Sequence, residues 1–143
     1  MGNNNILLIG HKGSGKTKKM IDLANESVET SKGSIVFVNK NTRLIYDLDY
    51  KIRVICMEDF PHITNEDEYI GFIFGIMSAD NDIETIFLDG IMRHRDFALE
   101  VLPSFINKLK IVSKETGINF VVSVSAELEE MIGVDFDGVE VLN

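Results

Sequence analysis

Residues 10–17 read G-H-K-G-S-G-K-T and match the pattern G-x-x-x-x-G-K-[ST] at every fixed position. At average composition this string arises by chance in roughly one chain in two hundred of this length, so its flanks decide how to read it. Residues 6–9, Ile-Leu-Leu-Ile, form an apolar run of strand length, and residues 18–30 place Met20, Ile21, Leu23, Ala24 and Val28 at helical spacing. Strand, glycine-rich loop and helix therefore follow in the order that builds an anion cradle. Gly10, Gly13 and Gly15 can adopt backbone angles closed to other residues, which lets successive amides turn toward one anion. The helix that follows presents its positive dipole end to the same place. Lys16 adds a mobile charge for the β and γ phosphates of a nucleotide, which makes it a catalytic candidate as well as a binding one. The Thr17 hydroxyl is placed to ligate a magnesium ion. His11, Lys12 and Ser14 fill variable positions and complete the candidate phosphate-binding set; for His11 and Lys12 solvent exposure is the competing reading. A glycine-rich turn carrying surface lysines is the plain alternative for the whole stretch, and the flanking strand and helix argue against it.

Composition narrows the setting. A chain of 143 residues with 45% hydrophobic and 26% charged content is expected to form one domain, 1–143, with a substantial core. The first five residues are too short and polar for a secretory signal, no apolar run reaches membrane-span length, and Cys56 is the sole cysteine. A reducing cytoplasm is the expected location. Cys56 sits within an apolar run, so buried packing is expected rather than metal or redox chemistry. The net charge of −9 argues against nucleic acid as a direct partner, although Lys12, Lys16, Lys18 and Lys19 make the loop locally basic.

Further strands are predicted over 35–38, 52–56, 85–88, 118–124 and 139–142. Helices are predicted over 66–79, 96–102, 103–116 and 127–132, with a helical turn over 43–49 and a loop over 57–65. The 66–79 helix is so rich in apolar residues that cover on more than one side is expected. Its Gly71 and Gly75, four apart, resemble a close-packing pair but carry little weight outside a membrane. Alternating strands and helices predict an α/β domain with a mainly parallel sheet covered on both faces, and a ligand outside the carboxyl ends of the strands.

Asp89 ends the 85–88 run and is the candidate magnesium carboxylate, with a turn or cap formed with Gly90 as the competing reading. Glu58, or its neighbour Asp59, is the candidate general base at the end of the 52–56 strand, on weak spacing grounds. Arg93, His94 and Arg95 are candidates for a γ-phosphate contact, against a solvated loop. Ser123 and Ser125 are candidates for sensing the γ-phosphate from the end of the 118–124 strand, or for satisfying backbone groups.

With G-H-K-G-S-G-K-T, the strand I-V-F-V-N, the strand I-F-L-D and the late F-V-V-S-V-S strand in view, the chain resembles the RecA-like branch of P-loop ATPases. The resemblance implies the strand order 3-2-4-5-1-6, ATP with Mg²⁺ as ligand, Asp89 as the Walker B aspartate, and frequent assembly into rings or filaments in which a second copy or a partner protein completes the site. It spans most of the chain, at fold level outside the loop. Many such ATPases carry a glutamate directly after that aspartate, and here Gly90 stands in its place. The segment K-G-S-I-V-F-V-N-K-N-T-R also resembles type II thymidine kinases, whose glutamate base and zinc-binding cysteine cluster this sequence lacks. The expected function is ATP binding, as a small ATPase or a nucleotide-gated interaction module, with a degenerate nucleoside kinase as the alternative.

Overall fold

The computed structural model describes residues 5–10, 13–40, 45–90 and 99–142. Six strands form one parallel sheet: β1 Asn5–Gly10, β2 Ser34–Asn39, β3 Arg53–Cys56, β4 Ile83–Leu88, β5 Asn119–Ser125 and β6 Val139–Leu142. Their spatial order is β3-β2-β4-β5-β1-β6, as expected. Among the described residues three α-helices connect them: α1 Lys16–Thr30 between β1 and β2, α2 Glu66–Ala79 between β3 and β4, and α3 Leu102–Thr116 between β4 and β5. The arrangement is compatible with a RecA-like P-loop fold.

Strands buried on both faces read as continuous apolar runs, and the period of two then sorts their side chains. Leu7, Ile9, Val36, Val38, Ile86, Leu88, Phe120, Val122 and Val124 face α2 and α3, where they meet Tyr69, Ile70, Ile73, Phe105, Ile106 and Leu109. Leu8, Ile35, Phe37, Phe87 and Val121 face the other way, against Met20, Ile21 and Ala24 of α1. On that side Phe37 and Phe87 stack with centroids 5.8 Å apart, and on the other Tyr69 meets the edge of Phe105 at 5.9 Å.

The two faces follow from the direction of each connection. Steps toward β3, through α1 and through Leu48 and Ile52, pack on one face; steps toward β6, through α2, α3 and the segment bearing Met131, Val134 and Phe136, pack on the other. A uniform hand of crossover requires this division. It leaves β1 and its neighbour β5 with connections departing to opposite faces, which opens a crevice at their carboxyl ends. Asn5 ties the opposite end of this strand pair, its Oδ1 accepting from Phe120 N at 3.0 Å and from Ser113 Oγ at 3.2 Å.

Several local readings change. α2 buries Tyr69, Ile70 and Ile73 along one side, while Phe72, Ile76 and Met77 are partly buried and Phe74 is 46% exposed. Its opposite side is exposed, so among the described residues the expected cover on a second side is not present. Residues 127–132 form a single 3-10 turn, Leu128–Glu130, closed by reciprocal bonds between Glu127 and Glu130. Met57–Asp59 is likewise a 3-10 turn within the expected loop. Pro103 sits inside the first turn of α3, where its missing N–H has no intrahelical acceptor to lose, so the helix starts at Leu102 rather than at the proline. Cys56 is buried, with Sγ donating to Lys40 O at 3.5 Å. Among the described residues no helix is long and apolar enough to cross a membrane.

Candidate functional site

The two long helices that flank the first half of the sheet begin in opposite ways. α2 follows the ordinary rule: Asn65 accepts from Glu68 N at 2.9 Å, and Glu66, Asp67 and Glu68 place negative charge on the dipole's positive end. α1 has neither device. Its N-cap is Gly15, no side chain caps it, its first turn holds no acidic residue, and Lys16, Lys18 and Lys19 crowd that end with positive charge. The positive end of the helix dipole and the basic first turn coincide there, an arrangement that a bound anion relieves.

The loop backbone has the matching form. Gly13 and Gly15 adopt φ of 85° and 89°, in the left-handed region, while Ser14 between them keeps a negative φ. This alternation builds the backbone concavities that take up phosphate. Gly10, at the end of β1, is constrained by proximity: a Cβ there would lie 2.6 Å from Ser14 Oγ. Lys16 Nζ donates to Gly10 O at 2.8 Å, which holds the ammonium group over the loop's own first carbonyl.

A cavity of about 250 Å³ opens at the carboxyl ends of β1, β5 and β4 and is lined by Gly13, Gly15, Lys16, Thr17, Asp89, Gly90, Ser123 and Ser125. Parallel pairing of β1 with β5, and of β5 with β4, brings these residues together although more than 70 positions separate Thr17 from Asp89 in the chain. Asp89 is buried, its N–H donates to Val38 O at 2.9 Å, and its Oδ1 accepts from Ser123 Oγ at 2.6 Å. Ser123 Oγ in turn accepts from Gly90 N at 2.8 Å, with Gly90 at a φ of 70°. Ser125 Oγ, on the same strand and the same cavity, is buried and has no hydrogen-bond partner among the described residues. Tyr69 of α2 senses this carboxylate: burial first, and then the negative charge of Asp89, hold its phenol well above the usual tyrosine range.

No protein-family model matches the chain, and no curated protein matches it. The site is therefore read from its own atoms.

Of the candidates named from sequence, Gly13, Gly15, Lys16, Thr17, Asp89, Ser123 and Ser125 share this cavity. Gly10 and Ser14 belong to the same loop and meet each other, but are not among the cavity's lining residues. His11, Lys12, Arg93, His94 and Arg95 lie outside the described residues. Glu58 and Asp59 are exposed on the turn after β3 and do not line the cavity. At a strand spacing of about 4.8 Å, β3 stands roughly 10 Å from β4 and 19 Å from β1. Periodicity marked Tyr69 as core and gave no sign of its approach to Asp89. The Ser123 contact was hidden for a different reason, because only the sheet order sets β5 between β4 and β1.

The donor set suits a small hard cation. Magnesium takes one or two carboxylates and completes its shell with hydroxyl, water and phosphate oxygens. Thr17 and Asp89 offer a hydroxyl and a carboxylate on one cavity, and among the described residues no lysine or arginine ion-pairs with Asp89.

Proposed function

We propose that this chain binds a nucleoside triphosphate, ATP on the strength of the RecA-like resemblance, together with Mg²⁺. The observation that carries the reading is the shared cavity, in which an uncapped basic helix start, two left-handed glycines and a buried carboxylate meet. In this reading the loop amides and Lys16 hold the β and γ phosphates, and Thr17 and Asp89 hold the ion. The ion would neutralise phosphate charge and polarise the bond to the terminal phosphoryl group. Ser125, whose hydroxyl at the end of β5 has no partner among the described residues, is the group among them best placed to register the γ-phosphate.

The same cavity bears on turnover. Asp89 is the one carboxylate among the described residues that line it, and metal binding commits it. Gly90, where many related ATPases carry their base, offers none. The reading is therefore a nucleotide-gated module whose own hydrolysis is slow and whose base comes from a second copy or a protein partner. Incubation with Mg²⁺-ATP separates the classes. Tight binding with little phosphate release, both lost in Lys16→Ala, supports the gated module. Brisk release by the isolated chain would mark an ATPase with an internal base, and phosphate transfer to a nucleoside would mark a kinase.

A further inference from the structure

We infer that Ser123 is the positioning residue of the metal site: its hydroxyl fixes the Asp89 carboxylate in the orientation that ligates the ion. The inference rests on the Mg²⁺-nucleotide reading above and assigns a role within that site to a residue that touches neither ion nor phosphate. A serine hydroxyl has one proton to give, and a carboxylate only accepts. The 2.6 Å contact therefore runs from Ser123 to Asp89 Oδ1, and the 2.8 Å contact from Gly90 N to Ser123 Oγ fixes the rotor from the other side. Both hydrogen-bonding functions of the hydroxyl are thus used within the protein. Ser123 is fully buried and Asp89 is 6% exposed, so neither contact competes with bulk water.

The consequence for Asp89 is that its carboxylate cannot swing. Its backbone is pinned to β2 through Val38 O and its side chain to β5 through Ser123, while no described residue donates to Oδ2. One oxygen is spent on orientation and the other remains for the cavity. Magnesium tolerates little departure from octahedral geometry, so an anchored ligand binds it better than a mobile one. The contrast with Ser125 sharpens the assignment. Two residues along the same strand, the Ser125 hydroxyl has no partner among the described residues, whereas the Ser123 hydroxyl bonds Asp89 and the backbone that follows it.

The test measures ATP affinity by calorimetry with Mg²⁺ and with EDTA, in the wild-type chain, Ser123→Ala, Asp89→Asn and the double variant. The expected result is that Mg²⁺ strengthens wild-type binding, that Ser123→Ala cuts this enhancement about tenfold, in line with the loss of other groups that orient metal ligands, and leaves metal-free binding unchanged. In the Asp89→Asn background Ser123→Ala should have no further effect on the enhancement. Should the alanine variant fail to fold, Ser123→Cys keeps the volume with a weaker donor and should show a smaller loss of the same kind. Equal weakening with and without Mg²⁺, or an undiminished effect in the Asp89→Asn background, would overturn the positioning role while leaving nucleotide binding intact. A wild-type chain that binds no ATP under either condition would instead remove the functional reading and this inference together.

Discussion

At the scale of single residues, the site holds groups that a stability-driven fold would not choose. A carboxylate at 6% exposure costs desolvation free energy, and a single serine hydrogen bond repays only part of it. Asn at position 89 keeps the size and the acceptor oxygen while removing the charge. Asp89→Asn should therefore leave thermal stability without nucleotide unchanged or raise it by about 1 kcal/mol, while abolishing the Mg²⁺ enhancement of binding. Thermal unfolding in EDTA checks the first part, and a loss of more than about 2 kcal/mol would mean that the charge is structural rather than functional. Much of this was legible in the sequence. G-H-K-G-S-G-K-T carries its geometry in the glycines themselves, because only a residue without Cβ adopts the φ of 85° and 89° seen at Gly13 and Gly15 without strain. Asp89 was legible only through its company with that loop. The Ser123 contact to its carboxylate and the influence of its charge on Tyr69 were not legible, since each depends on which strand or helix lies beside β4, and no local pattern encodes that.

At the scale of elements, the helices show where apolar content misleads. Counting apolar residues in α2 suggests burial all round, yet Gly71, Phe74, Gly75 and Ser78 share an exposed side. A Cβ added at Gly71 or Gly75 would touch nothing within 4 Å. Glycine in a helix interior is less favourable than alanine by about 0.8–1 kcal/mol, so Gly75→Ala should stabilise the chain by up to that amount in denaturant unfolding. An unchanged or lowered midpoint would show that something else packs on this side. The connection into β4 carries a second test. Asp80 accepts from Asp82 N at 2.8 Å and pairs with Arg53 at 3.4 Å, and the Asp82 amide foremost holds its carboxyl below the ordinary aspartate range, with Ser34 and Arg53 adding to the effect. A lowered folded-state value means that the unfolded chain binds the proton more readily. This contribution is therefore full above the unfolded value of about 3.9 and fades as pH falls through the folded one. Asp80→Asn should flatten the acid limb of the stability profile in that window while leaving its shape near neutrality unchanged, as followed by urea unfolding across pH.

At the scale of the whole molecule, the sheet order does what no motif can. It separates β1 from β4 by one strand, sends the connections of β1 and β5 to opposite faces, and so places the glycine loop, Asp89 and two serines around one opening. Strand existence was readable from the apolar runs at 6–9, 35–38, 85–88 and 118–124, because parallel strands covered on both faces are built mainly of apolar residues. Their order was readable only by resemblance. The account rests on that opening being a triphosphate site, and calorimetric titration of Mg²⁺-ATP into the wild-type chain and Lys16→Ala tests it most directly. Loss of a charge-assisted contact worth about 1.5–3 kcal/mol predicts saturable one-to-one binding by the wild type and binding weakened by roughly 10- to 150-fold in the variant. Wild-type and Lys16→Ala chains that bind equally well, or a wild-type chain that takes up no ATP at millimolar concentration, would contradict it.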